Sequence, residues 1–371
     1  MAGNSFGTAF TVVTFGESHG SALGCVVDGC PAGLSLDVED IRRELRRRRP
    51  GSGPASTTRA EADEPEILSG VFEGKTLGSP IAVLVRNTSQ RSTDYDALKD
   101  VYRPGHADWA WEAKYGFRDY RGGGRSSGRE TVGRVAAGAI AQVFLASQGI
   151  TVRAWTASIA GIDVPGPEEP GFDPDEAERN PLKVPRREYA ERIQAALETI
   201  RQEGDSAGGA VRCVALGIPP GLGEPVFGKL DALLAAAMLS LGAAKAIEFG
   251  AGFAAAKGRG SEQNDQPLDT AGTTADTTGA EFPPLGRQTN RAGGMLGGIS
   301  TGLPLEFTVA FKPTPSIAKP QKALYRNGGI DNLAIQGRHD ICVVPRAVPV
   351  VEAMTALTLA DLLLLRRLNR V

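Results

Sequence analysis

The hydrophobic positions along the chain follow two spacings, which together predict a mixture of strands and helices. Two apolar runs, FTVVTF and LGCVVDG, predict two strands within the first 35 residues. Residues 37–48 predict a helix with a basic face that ends before Pro50 and Gly51. Strand-like runs follow at 66–72 and 80–86.

The segment ETVGRVAAGAIAQVFLASQ has the clearest helical pattern in the chain. Its apolar positions recur at spacings of three, four, seven and eight residues, which predicts one buried stripe. The stripe consists of Val132, Val135, Ala136, Ala139, Ile140, Val143 and Phe144. Its alanines and glycine predict close packing against a second helix.

The remaining pattern predicts two more helices, one strand and two irregular segments. The helices lie near 186–203 and from about 347 to 367, and the strand is LPLEFTVAF. The acidic, Pro-rich segment 165–181 predicts a surface excursion, and the polar segment 258–290 predicts a long loop. No apolar run approaches the length of a membrane span, so we expect no membrane contact.

An internal repeat changes the predicted architecture. Residues 16–34 align without gaps onto residues 204–222, with the shared pattern G-[ED]-S-x-G-x4-C-V-x2-G-x-P-x-G-L. A predicted helix follows each copy, at 37–48 and at 226–241. Chance matching of glycine and proline is the alternative, but it does not easily explain agreement at Ser, Cys, Val and Leu. We therefore expect an internal duplication with two similar halves.

Composition excludes several classes of protein. The net charge of −2, with 41% hydrophobic and 23% charged residues, gives no reason to expect nucleic-acid or membrane binding. The four cysteines form no CxxC pair, which indicates a reducing compartment without structural zinc. The N-terminus shows no export signal, so a cytoplasmic protein is expected. Arginines outnumber lysines by 31 to 10, and a high-GC genome is an alternative explanation for that bias.

The segment GESHG, residues 16–20, has the G-x-S-x-G spacing of a hydrolase nucleophile elbow. The second copy of the repeat keeps the serine, as Ser206, but has Ala207 in place of His19. An elbow also joins a strand to a helix, whereas SALGCVVDG after this turn predicts a second strand. We therefore expect His19, rather than Ser18, to carry the chemistry.

The chain has three histidines, His19, His106 and His339, in the segments GESHG, RPGHADW and GRHD. Each lies beside glycine or arginine in a loop-like sequence, and none lies on an apolar helix face. A lone histidine is more often structural than catalytic. These settings nevertheless favour proton transfer, because histidine is the usual proton carrier near neutral pH.

Arginines cluster in two segments that also contain glycine. ELRRRRPGSG places Arg46 to Arg49 at a predicted helix end, whereas YRGGGRSSGRET precedes the clearest helix. The second segment contains Arg121, Arg125, Ser126, Ser127 and Arg129. Such a turn suits a phosphate or carboxylate, although helix-end arginines can simply complement the helix dipole. Neither a P-loop nor a Rossmann fingerprint is present.

Two further segments complete the candidate chemistry. RAGGMLGGISTG, residues 291–302, has paired glycines that predict either close approach to a flat or anionic ligand or tight turns. GRHD places Arg338, His339 and Asp340 together before the last predicted helix. The residues together indicate an enzyme that binds a polyanionic small molecule and moves protons. A different flavin- or phosphate-binding enzyme and a non-enzymatic anion-binding protein are the alternatives.

The motifs GESHG, RPGHADW, RSSGRET, GGMLGGIS and GRHD occur in the order found in the chorismate synthase family, and nearly the whole chain resembles this family. The resemblance implies an α+β fold, a β-α-β sandwich with helices layered between two antiparallel sheets and an internal duplication. It implies one domain over 1–371, with halves at about 1–160 and 186–371. It also implies a homotetramer with FMN near the subunit contacts.

The family converts 5-enolpyruvylshikimate 3-phosphate to chorismate and phosphate by a 1,4-anti elimination, the last step of the shikimate pathway towards aromatic amino acids. It requires reduced FMN although the net reaction is redox-neutral. The phosphate and carboxylates of the substrate, and the phosphate of FMN, would account for the arginines and the Gly-rich segments. The resemblance leaves open whether the chain reduces FMN with NADPH or depends on an external flavin reductase.

The resemblance also implies roles for individual residues. His19 would protonate the departing phosphate, His106 would set the protonation of the reduced flavin, and Asp340 would help the flavin to accept the ring proton. Substrate contacts are implied for Ser18, Arg48, Arg103, Arg129 and Arg338. FMN contacts are implied for Arg125, Ser126, Ser127, Gly242, Ala243, Gly297, Lys312, Pro313, Thr314, Pro315, Ser316 and Arg338.

The sequence departs from the family pattern at two places. Pro54 stands where the family commonly has an arginine, and Arg49 or Arg59 is the expected substitute. Gly242 and Ala243 stand where many members have Asn-Ala, which would leave FMN a backbone contact and one side-chain hydrogen bond fewer.

Overall fold

A computed structural model of the chain describes residues 3–49, 55, 62–88, 95, 98–267, 289–335 and 339–367. The strands are β1 Ser5–Phe6, β2 Thr11–Phe15, β3 Ala22–Asp28, β4 Pro65–Ile67, β5 Val71–Phe72, β6 Lys75–Thr76, β7 Ile81–Arg86, β8 Val101–Tyr102, β9 Thr151–Ile159, β10 Ile162–Asp163, β11 Gly209–Leu216, β12 Ala244–Phe249, β13 Met295–Leu296, β14 Ile299–Ser300, β15 Leu305–Phe311, β16 Gln321–Tyr325 and β17 Ile330–Leu333. The helices are α1 Val38–Arg48, α2 Asp108–Tyr115, α3 Thr131–Ser147, α4 Pro174–Arg179, α5 Arg187–Gln202, α6 Leu230–Leu239, α7 Gly260–Gln263 and α8 Val344–Arg366. The α+β class expected from the sequence is therefore present.

Two five-stranded antiparallel sheets have matching strand orders. The first sheet runs β1-β2-β3-β7-β4 and the second runs β10-β9-β11-β15-β12. The strands of the repeated segments, β3 and β11, lie at the centre of the two sheets. Each is followed along the chain by a helix, α1 or α6, and then by the edge strand, β4 or β12.

The central helices of the fold pack against these sheets. Helix α3 packs on β2, β3 and β7 of the first sheet and along α8, which packs on β9 and β11 of the second sheet. Glycine lets α3 approach both β3 and α8 closely. A Cβ on Gly133 would lie 2.6 Å from the carbonyl oxygen of Gly24 in β3, and one on Gly138 would overlap Ala353 in α8. The buried surface of α3 is wider than the predicted stripe, because Gly133, Ala137 and Ala141 are buried as well.

The ends of the elements differ from the sequence prediction in a few places. The strand predicted at 66–72 is divided into β4 and β5 by a turn at Gly70, where φ is +80°. The helix predicted at 226–241 begins only at Leu230. The predicted excursion at 165–181 contains α4, whose first turn is capped by the side chain of Asp173. The predicted loop at 258–290 contains α7, and its residues 268–288 lie outside the described part.

The prediction that no apolar run approaches the length of a membrane span is wrong. Among the described residues, α8 is long and apolar enough to cross a membrane, with a mean hydropathy of 1.8 in its most apolar window. However, 89% of that window is buried inside the molecule. The helix is apolar all round because α3, α6 and the second sheet surround it.

Candidate active site

Two consecutive glycines bring two of the histidines against one loop. Gly122 and Gly123 precede α3 and have φ values of +67° and +90°. A Cβ on Gly122 would lie 2.5 Å from Cε1 of His19, and one on Gly123 would lie 2.8 Å from Cε1 of His106. Because consecutive Cα atoms are about 3.8 Å apart, the two rings flank a single peptide unit. His19 is 3% exposed, and its ring meets the edge of Tyr95.

The His106 loop is held by an ion pair within the motif RPGHADW. The guanidinium of Arg103 donates from Nε and Nη2 to the carboxylate of Asp108, over 2.7 and 2.9 Å. His106 Nδ1 lies 2.8 Å from the same carboxylate. Burial alone would raise the pKa of Asp108, but the hydrogen bonds from Arg103 and His106 hold it well below its usual range. Burial lowers the pKa of His106, assisted by the charges of Arg103 and Lys312 and opposed by Asp108.

A second buried carboxylate joins two of the predicted substrate arginines. Asp63 accepts from Nη1 of Arg48 over 3.1 Å and from Nη1 of Arg129 over 2.5 Å. Arg129 also donates from Nε to Asn87 over 3.1 Å, and Asn87 donates to the carbonyl of Gly20 over 2.8 Å. The arginine pair is therefore connected to the loop that carries Ser18 and His19. Both arginines are at least nine-tenths buried.

Asp340 reaches the same arginine pair through another residue. Arg346, in the first turn of α8, donates from Nη1 to the Asp340 carboxylate over 2.7 Å and from Nε to the carbonyl of Arg48 over 3.3 Å. Thr314 donates its hydroxyl to the carbonyl of Asp340 over 2.8 Å. The third predicted catalytic residue therefore lies at the junction of α1, α8 and the segment 312–316.

The predicted FMN segments lie around the His106 loop. Lys312 donates from Nζ to the carbonyl of Gly105 over 2.5 Å, and its backbone N–H donates to the carbonyl of Ala243 over 2.9 Å. These contacts bring Lys312, Pro313, Thr314, Pro315 and Ser316 next to the His106 loop, with Gly242 and Ala243 behind them. Ser126 and Ser127 lie in the turn before α3, where the Ser126 hydroxyl donates to the carbonyl of Gly123.

Not every predicted residue joins this group. Arg125 is turned towards β2, where it donates to Thr14 Oγ1 over 2.7 Å and to the carbonyl of Gly16 over 3.1 Å. Gly297 lies in the turn between β13 and β14, next to the start of α6, where Leu230 N–H donates to the Gly298 carbonyl. Gly242 and Ala243 follow the other end of α6, about 15 Å away for a ten-residue helix.

Three predicted residues lie outside the described part of the chain. They are Arg338, Pro54 and Arg59. Arg49, the other suggested substitute for an arginine at position 54, donates to Glu64 over 3.0 Å. The structure therefore gives Arg49 an acidic partner.

Sequence reasoning missed four polar residues that hold the site. Asp63, Asn87, Asp108 and Arg346 contact predicted site residues but were not among the candidates. For Asp108 a signal was available, since it lies two residues from His106 in RPGHADW. Asp63 and Asn87 gave none, because their partners are up to 70 positions away along the chain.

The comparisons with known proteins agree on one family. The family model described as chorismate synthase matches residues 10–364. Chorismate synthase of Chloroflexus aggregans is 51% identical over 371 residues, covering 100% of this chain and 98% of the relative. That of Syntrophobacter fumaroxidans is 52% identical over 364 residues, covering 98% of each chain.

A solved structure gives the same result at the level of the fold. A crystal structure of chorismate synthase is similar with a TM-score of 0.73 and 33% identity, covering 97% of this chain and 93% of that chain. The family-model match, residues 10–364, spans the candidate residues from Ser18 to Asp340. The chain therefore belongs to the chorismate synthase family.

Proposed function

We propose that the chain converts 5-enolpyruvylshikimate 3-phosphate to chorismate and phosphate by 1,4-anti elimination, with reduced FMN as cofactor. One observation carries this proposal: the buried His19 and the partly exposed His106 flank the Gly122–Gly123 peptide, beside an arginine pair that is buried with its carboxylate. The reaction removes a proton and expels a phosphate, and it therefore needs proton carriers next to cationic groups.

The arginines supply the anion-binding part of the reaction. Arg48 and Arg129 share a single carboxylate, Asp63, so the cluster of these three residues keeps a net positive charge. Guanidinium forks suit phosphate and carboxylate groups because they donate two parallel hydrogen bonds. Arg103, from the His106 loop, would add a third cationic group at the neighbouring wall.

His19, His106 and Asp340 would handle the protons. His19 lies beside Ser18 on the wall formed by Gly122, and there it would donate a proton to the departing phosphate. His106 would hold a proton near the cofactor, because its ring faces the turn that contains Ser126. Asp340 would help the flavin to accept the ring proton, since Arg346 links its carboxylate to the backbone of Arg48.

The residues present fit FMN, on three observations. Gly122 and Gly123, which have no Cβ, let the rings of His19 and His106 lie against the turn before α3, next to Ser126. Ser127 and the ammonium of Lys312 offer donors for a phosphate. Ala243 has φ at +69°, which presents backbone rather than side chain in that turn. Reduced FMN, when bound, would supply a transient electron that assists departure of the substrate phosphate.

We further propose a cytoplasmic homotetramer with FMN sites close to the subunit contacts. The separation of Gly297 from the other FMN-contacting segments within one chain is compatible with a site that draws on more than one copy. Reduction of FMN by NADPH on this chain and by an external flavin reductase remain alternative sources of the reduced cofactor. The matching strand orders of the two sheets support our inference that the halves arose by duplication.

Phosphate release under anaerobic conditions, with chemically reduced FMN, tests the proposal. The wild-type chain should turn over only with reduced flavin, and His19→Ala or His106→Ala should lower kcat by on the order of 10²–10⁴. Arg48→Ala should abolish substrate binding. Arg46→Ala is the matched control, because Arg46 lies on the same helix turn with a side chain that is 55% exposed. Its activity should stay close to that of the wild type.

Each alternative function has its own outcome in this assay. If the wild-type chain binds FMN without turnover, a different flavin enzyme is favoured, with a substrate specificity that Pro54 has changed. Labelling of Ser18 by a fluorophosphonate would support a serine hydrolase. We expect no labelling, because Ser18 is 5% exposed and lies beneath Gly122.

A further inference from the structure

The carboxylate of Asp108 is one of the most completely engaged side chains in the described part of the molecule, and its side chain is only 2% exposed. Its oxygen Oδ2 accepts from the backbone N–H and from Nε of Arg103, over 3.2 and 2.7 Å. Its other oxygen, Oδ1, accepts from Arg103 Nη2 over 2.9 Å and lies 2.8 Å from His106 Nδ1. Arg118 Nη1 lies 3.5 Å from the same Oδ1.

The position of His106 Nδ1 determines where its proton lies. An ionised carboxylate only accepts hydrogen bonds, and a guanidinium only donates them. A bare Nδ1 would place its lone pair against Asp108 Oδ1 at 2.8 Å, which is repulsive. Nδ1 and Arg103 Nη2 lie 3.1 Å apart. This distance does not require a hydrogen bond between them, because both nitrogens donate to the same oxygen, Asp108 Oδ1.

We propose that Asp108 is a positioning residue that keeps His106 in the Nδ1–H tautomer, so that Nε2 is the only ring atom that loads and releases a proton. Nε2 lies on the side of the ring that faces the turn before α3, because a Cβ on Gly123 would be 3.2 Å from Nε2 and 3.1 Å from Ser126 Oγ. That turn contains residues proposed to contact FMN. What the Asp108–His106 pair, called the dyad below, contributes to catalysis therefore rests on the proposed function. The tautomer itself does not.

An isosteric substitution of Asp108 should reverse the tautomer. In Asp108→Asn the amide oxygen should take the Oδ2 position, where it keeps both the backbone and the Nε donors of Arg103. The amide NH₂ then takes the Oδ1 position and donates to His106 Nδ1. The ring would consequently carry its proton on Nε2, which leaves no free acceptor on the side that faces Gly123.

Solid-state ¹⁵N NMR of ring-labelled histidine in the full-length, cofactor-free protein measures this directly. Only three histidines are present, so His106→Gln identifies the His106 signals by their loss. At neutral pH, wild-type His106 should show a protonated Nδ1 and a bare Nε2, and Asp108→Asn should exchange the two. Glu112→Gln is the matched control, because Glu112 also pairs with Arg118 but does not touch His106; it should leave the tautomer unchanged.

The outcomes separate the dyad from the proposed reaction. A wild-type ring protonated on Nε2 alone overturns the proposal, even where Asp108→Asn does not fold. An unchanged tautomer in folded Asp108→Asn overturns it as well. A wild-type chain with the expected tautomer but no turnover leaves the dyad standing and refutes the proposed function. Where turnover is present, Asp108→Asn should lower kcat on the order of a hundredfold while the histidine remains in place.

Discussion

Gly122→Ala tests whether the contact between Gly122 and His19 controls the proposed chemistry. The new Cβ would lie 2.5 Å from Cε1 and 2.6 Å from Nδ1 of His19, and 2.8 Å from Oγ of Ser18. An ordinary Cβ contact begins at 3.4 Å, so the ring must retreat by about 3.4 − 2.5 = 0.9 Å. His19 is 3% exposed, and the neighbouring side chains must move with it.

The expected effect has two parts that a matched variant separates. A non-glycine residue at φ +67° costs about 1–2 kcal/mol of unfolding free energy. Gly116→Ala carries the same backbone cost, because Gly116 has φ at +72°, but its Cβ would meet nothing within 4 Å. A displacement of about 1 Å at a proton carrier costs on the order of 10²-fold in rate. We therefore expect similar losses of stability in both variants, and loss of rate in Gly122→Ala alone.

Urea unfolding and anaerobic phosphate release measure the two parts on the same preparations. Both variants should keep their fold, since the cost is small beside a typical stability of about 5–15 kcal/mol. A Gly122→Ala protein that releases phosphate within about threefold of Gly116→Ala would refute the reasoning, because the ring would then have moved without consequence.

Three more predictions concern the buried charges. Asp63→Asn should destabilise the protein by about 3–5 kcal/mol and raise KM, because it removes the negative charge that two buried arginines share. Asp175 is exposed, so the control Asp175→Asn should cost less than about 1 kcal/mol. Arg47→Met should destabilise by about 3–5 kcal/mol because it leaves buried Glu352 without this partner, whereas equal unfolding curves for Arg47→Met and Arg46→Met would contradict this. The pKa of His106 is lower in the folded than in the unfolded protein, so its contribution to stability is complete above the unfolded value of about 6.5 and is lost progressively as the pH falls from there through the lower folded value. His106→Gln should flatten the acid side of the stability curve, and parallel curves would exclude this coupling.

Local sequence patterns predicted much of the fold because its signals are local. A capping aspartate, Asp37, and an acidic first turn mark the start of α1, and the structure confirms that start. The strands β2 and β3 follow the two apolar runs, and the repeat predicted a related pair of segments that the structure places at the centres of the two sheets. The ends of the elements were less predictable. At Gly70 a turn with φ > 0 interrupts the run 66–72, and the strand-like pattern of that run does not reveal the turn.

The composition of the site was predictable only in part, for a different reason. His19 and His106 stood out because each lies beside a glycine in a loop-like segment rather than on an apolar helix face. The carboxylate of Asp63 could not be recognised in the same way, because its partners, Arg48 and Arg129, come from helix and loop segments on either side of it in the chain. Which arginines meet an acid depends on packing, and the letters RRRR do not reveal the direction of each side chain.

The structure answers that question for two neighbours, and the answer explains why α8 matters for the site. Consecutive residues on a helix point about 100° apart, so Arg48 reaches Asp63 in the candidate site while Arg47 pairs with Glu178 on α4 and with Glu352, which is 2% exposed on α8. Arg346, at the start of α8, donates to the Arg48 carbonyl. Helix α1 is thus fixed to the apolar core helix at two places, both next to a proposed substrate-binding guanidinium. Substitutions that shift α8 should therefore act on substrate affinity through Arg48, although no side chain of α8 needs to touch the substrate.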